Sequence, residues 1–165
     1  MPTRTAGRRL LALPLLGALL STGLLFGTST SADAMSRAHR DRQIHRAVEI
    51  GLDHIGDPYV YGAAGPGAFD CSGLTSYAFG RVGVSLPRTS ADQYRDARHI
   101  KKRNLQRGDL IFFHSGSSVY HVAIFLKRKD HHVILLHSPY PGSHVQRDPI
   151  WTSQWWAGTT RLRRH

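Results

Sequence analysis

Phe69-Asp70-Cys71-Ser72-Gly73-Leu74 decides how this chain is read. A glycine-rich, turn-rich stretch ends there, an amphipathic run begins, and the chain's only cysteine sits at the junction. Asp70 is a good N-cap, so the residues predict a helix from Cys71 to Phe79 with Leu74, Ala78 and Phe79 on its inner face. A lone cysteine cannot form an internal disulfide. It is a buried filler, an intermolecular linker or a nucleophile. In the first turn of a helix a thiolate, the attacking species, lies near the positive end of the helix dipole.

Upstream, Ile44, Val48, Leu52 and Ile55 recur at helical spacing, which predicts a helix over residues 41–55, ended by Gly56-Asp57-Pro58. Met35 to residue 43 reads as a flexible lead-in. Downstream, Gly80 to Arg88 is a connector, and Ser90 to Ala97 a short helix. After Arg107-Gly108-Asp109 the period becomes strand-like. Leu110 to His114, Tyr120 to Leu126 and Val133 to Ser138 are β-rich runs, and a last strand is expected around Thr159 to Leu162. Helices first and antiparallel strands after define an α+β fold, with N-terminal helices packed on a central antiparallel sheet.

A cysteine nucleophile needs a histidine to take its proton, held in orientation by a third group. His121 and His137 suit these roles by parity: His121, Ala123 and Phe125 share one strand face, and Val133, Leu135 and His137 share a face of the next. An antiparallel hairpin turning at Lys129, inside Lys127-Arg128-Lys129-Asp130, would set His121 opposite His137. Parity alone leaves other readings open. The chain has eleven histidines, and a strand histidine is often structural. Zinc could use His114, His121, His131, His132 or His137, but no H-E-x-x-H or cysteine–histidine cluster is present, so no metal is expected.

The N-terminus reads as an export signal over residues 1–34. Arg4, Arg8 and Arg9 precede an apolar stretch from Leu10 to Phe26, and Ala32-Asp33-Ala34 resembles a cleavage site after Ala34. An uncleaved membrane anchor is the alternative, and Arg8-Arg9 leaves the export route open. The remaining residues suffice for one domain. With 22 Lys+Arg against 11 Asp+Glu, the chain favours polyanions. For an exported protein these are anionic wall polymers rather than nucleic acid, for which no recognition motif appears. The basic cluster Arg98 to Arg107 reads as a solvated loop with a wall-contact role as the alternative.

Six segments in order resemble the NlpC family of papain-like cysteine peptidases, bacterial enzymes that cut peptidoglycan stem peptides. They are Gly56-Asp57-Pro58-Tyr59-Val60-Tyr61-Gly62, Phe69 to Leu74, Leu86-Pro87-Arg88-Thr89-Ser90 through Gln93, Arg107-Gly108-Asp109-Leu110, His121-Val122-Ala123-Ile124-Phe125, and His137-Ser138-Pro139 with Gly142. The resemblance implies a papain-like domain over residues 44–165, with Cys71 as nucleophile, His121 as general base and His137 orienting it. It implies that Tyr59, Asp70 and Ser72 contact substrate. Gly73 is read as permitting close helix–sheet packing, and Arg88 as structural.

The implied activity is hydrolysis of stem peptides at a γ-D-glutamyl bond to a diamino acid, by a monomer without a cofactor. A peptidoglycan amidase, an acyltransferase on a related fold, or a wall-binding module that has lost catalysis are the rivals. Two features depart from the family pattern: Ala123 stands where glycine is usual, and the Lys127 to His132 loop is unusually basic.

Overall fold

In the computed structural model, which describes residues 28–161, three helices precede and flank one antiparallel sheet. The helices are α1 (Thr28–Asp53), α2 (Cys71–Gly80) and α3 (Ser90–Asp96). The strands are β1 (Arg98–Ile100), β2 (Leu110–Ser115), β3 (Ser118–Lys129), β4 (His132–His137), β5 (Gln146–Pro149) and β6 (Trp155–Thr159), in the spatial order β1-β6-β2-β3-β4-β5. The α+β expectation holds. The charged start and apolar stretch expected within residues 1–27, and Leu162 at the end of the expected last strand, lie outside the described residues. No helix among the described residues is long and apolar enough to cross a membrane.

The first helix is longer than expected. Residues 35–43 are helical rather than a flexible lead-in, and α1 runs through the expected cleavage point. No proline interrupts residues 28–53, and once a helix is nucleated each added residue gains a hydrogen bond at little cost. Ile44, Ala47 and Val48 are fully buried against α2 and the sheet. Hydrophobic burial of this kind anchors the C-terminal half of α1, each large side chain contributing about 1.5–3 kcal/mol.

Both faces of the sheet are covered, which explains why its strands read as nearly continuous apolar runs. Leu110, Phe112, Val122, Ile124 and Leu136 pack toward the helices with Leu74, Ala78 and Phe79. Ile111, Phe113, Ala123, Phe125 and Leu135 pack on the other face with Trp155, Leu105 and Ile150. Three features of the sheet differ from expectation. The last strand is Trp155–Thr159, and it inserts between β1 and β2 instead of closing an edge. The strand β5 has so polar a sequence that no β pattern marked it. The cluster Arg98 to Arg107 is not simply a solvated loop: Arg98–Ile100 pairs with β6, and Lys102 lies 4.2 Å over the Trp155 ring.

The β3–β4 hairpin turns at Asp130-His131, both at positive φ, and not at Lys129. Lys127 to Lys129 and His132 therefore belong to the strands. The pairs Ile124↔Leu136 and Phe125↔Leu135 put the register two residues from the expected one, with a bulge between Phe125 and Lys127. On the site side of that bulge the slip is even and keeps side chains on their faces, so His121 and His137 remain on one side but lie diagonally.

Asp70 caps α2 as expected, accepting from the Gly73 N–H at 2.7 Å. Gly73 serves a different contact from the one expected. A Cβ there would lie 2.0 Å from the Ala63 carbonyl oxygen, so its packing partner is the preceding loop and not the sheet. That oxygen already accepts from the Asp70 N–H at 2.9 Å, so the loop has no room to yield. Gly73→Ala is expected to lose about 1–3 kcal/mol of stability, read as a lower urea midpoint at an unchanged m-value. An unaltered midpoint would show that the loop relaxes freely.

Candidate active site

The nucleophile candidate is placed by a buried carboxylate. Both Asp70 oxygens are occupied: Oδ1 accepts from Gly73 N, Arg88 Nη1 (3.0 Å) and Ser72 Oγ (3.3 Å), and Oδ2 from Gly62 N (2.9 Å) and Arg88 Nη2 (2.5 Å). Burial alone would raise the Asp70 pKa, but the Arg88 guanidinium and the Gly73 and Gly62 N–H groups prevail and hold it below the usual carboxylate range. Arg88, to which the sequence assigned no chemistry, is thus the counter-ion of the cap, and it also donates to Ser72 Oγ at 3.0 Å. The buried Gln93 closes the rear, donating to the carbonyls of Ser72 and Pro87 and accepting from Thr75 Oγ1.

Two contacts bring the helix start to the strands. Ser138, next to His137, donates its hydroxyl to the Phe69 carbonyl at 2.8 Å, two residues before Cys71. The Val122 backbone N–H, next to His121, points at the Cys71 sulfur, as does the Ser72 backbone N–H. Tyr59 lies on the wall of the same cleft, its phenol pushed up first by burial and then by the adjacent Cys71 and Asp70.

The two histidines meet as their parity predicts. His121 Nε2 lies 3.0 Å from His137 Nδ1, with both rings buried. The row then continues to a residue that sequence reasoning missed: His137 Nε2 lies 2.9 Å from Asp148 Oδ2, which also accepts from Gln146 Nε2 at 2.6 Å. Asp148 reaches His137 because β5 pairs with β4 in the register Leu135↔Asp148 and His137↔Gln146.

Hydrogen-bond logic fixes the protons along this row. Partial burial opposes charge on Asp148, but the bonds from His137 and Gln146 keep its pKa low, so it is an ionised acceptor. His137 must then donate through Nε2–H. Burial lowers the His137 pKa despite Asp148, so the ring is neutral and its bare Nδ1 accepts from His121 Nε2–H. His121 is left with a bare Nδ1. Burial, and then His137, bring its pKa down to about 3, against a small opposing effect of Asp70.

A resting pair of Cys71 thiolate and histidine imidazolium is not favoured group by group. Burial pushes the Cys71 thiol up, outweighing the donors around the sulfur, and the Asp70 charge adds to the rise. The donors at the helix start therefore lower this thiol less than burial raises it. A single proton passing from sulfur to imidazole creates both charges at once and leaves the net charge of the cleft unchanged. Two cavities flank this point. One, of about 400 Å³, is lined by Tyr59, Tyr61, Asp70, Cys71, Ser72 and Arg88. The other, of about 420 Å³, lies on the His121 side, and Tyr120 borders both. Among the described residues, no three His, Cys, Asp or Glu side chains gather where a metal could sit.

The sequence model of the NlpC/P60 family matches residues 56–164. The peptidoglycan endopeptidase RipA of Mycolicibacterium smegmatis is 35% identical over 148 residues, 82% of this chain and 29% of that protein. A probable endopeptidase p60 of Listeria grayi is 51% identical over 73 residues, 44% of this chain and 14% of that protein. This chain thus spans less than a third of either curated relative. Among solved structures, the peptidoglycan hydrolase RipB of Mycobacterium tuberculosis superposes with a TM-score of 0.66 at 28% identity, covering 83% of this chain and 74% of that one.

The buried histidines make stability depend on pH. Below pH 6.5 the unfolded chain gains a proton at His121 that the folded chain excludes down to about pH 3. Stability therefore rises with pH across that window, by up to about 1.4 kcal/mol per unit for this one proton. His121→Asn removes that contribution. Urea unfolding at pH 7 and pH 4 is expected to show a smaller acid loss in the variant than in the parent. Equal losses would mean that His121 is protonated in the folded protein.

Proposed function

This chain belongs to the NlpC/P60 family, and we propose that it is an exported cysteine endopeptidase of peptidoglycan stem peptides, cutting a γ-D-glutamyl bond to a diamino acid. The observation that carries the reading is the row Asp148–His137–His121, whose last member adjoins Val122, the residue whose backbone N–H meets the sulfur of a lone cysteine at a helix start. Residues 1–34 act as the export signal, cleaved after Ala34. The basic surface serves contact with anionic wall polymers.

In this reading the thiol proton of Cys71 passes to His121 Nδ1 as the sulfur attacks the peptide carbonyl carbon. The oxyanion takes hydrogen bonds from backbone N–H groups at the start of α2 and from the Tyr59 hydroxyl. The tetrahedral intermediate collapses as His121 gives its proton to the leaving nitrogen, which departs as a free amine. Water then loses a proton to His121, attacks the thioester and releases the acyl portion, returning the proton to sulfur. His137 holds His121 in the required tautomer throughout. Asp70 acts on Cys71 through the helix cap. Its oxygens are fully engaged, so Ser72 and Tyr59 are the better candidates for direct substrate contact.

The rivals predict different products. Digestion of purified peptidoglycan with mass spectrometry of the fragments identifies the bond: an amidase would free whole stem peptides from the glycan, and an acyltransferase would yield joined ones. Cys71→Ala is expected to abolish fragment release while leaving association with insoluble wall intact. Release undiminished in that variant would sink the peptidase reading.

Asp148→Asn keeps a polar side chain of similar shape but loses the charge that dictates the His137 tautomer. It is expected to lower kcat by roughly 10–100-fold, whatever it does to KM, and Asp148→Glu to recover part of that loss. An equal fall in kcat/KM through KM alone would show that Asp148 binds substrate without positioning His137.

A further inference from the structure

We propose that the cavity on the His121 side is the leaving-group subsite and that it selects a residue whose side chain ends in a free ammonium. This rests on the peptidase reading, which assigns the two cavities to the two halves of the substrate. The acyl half stays bonded to sulfur and lies on the Cys71 side, whereas the leaving nitrogen receives its proton from His121 and draws the departing residue to the other side. The residue after the cut bond therefore enters the cavity of about 420 Å³ beyond Tyr120.

The charge of that cavity runs against the charge of the protein. The chain carries twice as many Lys and Arg as Asp and Glu, yet no Lys or Arg lines this cavity. His121 and His137 are neutral at physiological pH, so the Asp148 carboxylate sets the sign of the potential there. Only one of its oxygens is used internally. Oδ2 accepts from both His137 and Gln146, while Oδ1 has no hydrogen-bond partner among the described residues, and the side chain is 35% exposed. Neighbouring Arg147 lines a separate cavity with Leu52 and Arg107, and makes no ion pair with Asp148.

The remaining walls suit a cation as well. Tyr120, Tyr140 and Trp151 are each more than half exposed. Tyr61, in the Cys71-side cavity, is the one other exposed Phe, Tyr or Trp among the described residues. Aromatic rings concentrated on one concave surface mark a binding site. Trp151 is stacked on Phe113 at 4.2 Å and 8°, which holds its face in place. A carboxylate oxygen beside fixed aromatic faces binds an alkylammonium through charge and cation–π attraction while the rings cover its methylenes. Acylation of that amine, as in a cross-linked stem peptide, removes the charge and adds bulk. The consequence is an enzyme that acts on stems whose diamino acid is uncross-linked.

Three synthetic γ-D-glutamyl peptides test this, with lysine, Nε-acetyl-lysine or norleucine after the cut bond. Equilibrium binding to the Cys71→Ala protein reads the cavity without requiring turnover, and product release by the unaltered chain reads the chemistry. The lysine peptide is expected to bind about tenfold more tightly than the acetylated one, with the same order in kcat/KM. Adding Asp148→Asn to the Cys71→Ala protein is expected to erase the difference, and Trp151→Leu to narrow it. Equal affinity for the lysine and acetyl-lysine peptides overturns the proposal, as does a preference that persists unchanged in both variants. Failure to release product from any of the three, with the lysine preference in binding retained, counts against the peptidase reading and leaves the ammonium site standing.

Discussion

The Asp70 carboxylate is the constraint on which the rest of this site depends. It sits 6% exposed between a loop and a helix, where an unpaired charge would be costly. Five donors hold it ionised: the Gly62 and Gly73 amides, both Arg88 nitrogens and the Ser72 hydroxyl. Each bond also positions something. The Gly73 bond starts α2, the Gly62 bond fixes the loop that passes the thiol, and the Arg88 pair ties in the segment leading to α3. Removing one partner would leave the others buried and unmatched, so the arrangement is cooperative. Cys71 inherits its place from this assembly.

The opposite half of the cleft is governed by desolvation. Burial is so thorough at His121 and His137 that neither carries a positive charge at neutral pH. That neutrality is useful because the row of hydrogen bonds back to ionised Asp148 then has a single consistent set of tautomers. It leaves the Nδ1 of His121 bare. Burial likewise disfavours a resting thiolate at Cys71. A substrate that excludes further water strengthens every fixed dipole around that thiol.

Much of this was legible in the sequence, because it depended on local chemistry. The cap at Asp70, the helix from Cys71, the β runs and the parity of His121 and His137 follow from residue types and periods of two and 3.6. The hairpin register was misread by two residues because the polar run Lys127 to Asp130 resembles a turn, whereas the turn formed at Asp130-His131. The even slip preserved the faces and so preserved the histidine pair. The parts that were missed are long-range. Gln146-Arg147-Asp148-Pro149 carries no β signal, and its strand exists because β4 offers an open edge. The partner of Gly73 is a loop carbonyl ten residues earlier that no helical pattern could reveal.

From the sequence alone came the helix-capped cysteine, the two same-face histidines and the α+β order of elements, since each is a statement about neighbours along the chain. Tertiary structure alone decided that Asp148 stands behind His137, that Arg88 neutralises the cap, and that the thiol is buried enough to resist ionisation. These depend on strand order and on how much water packing removes. Both are properties of the whole fold, because distant segments must meet before any of those groups acquires its partner.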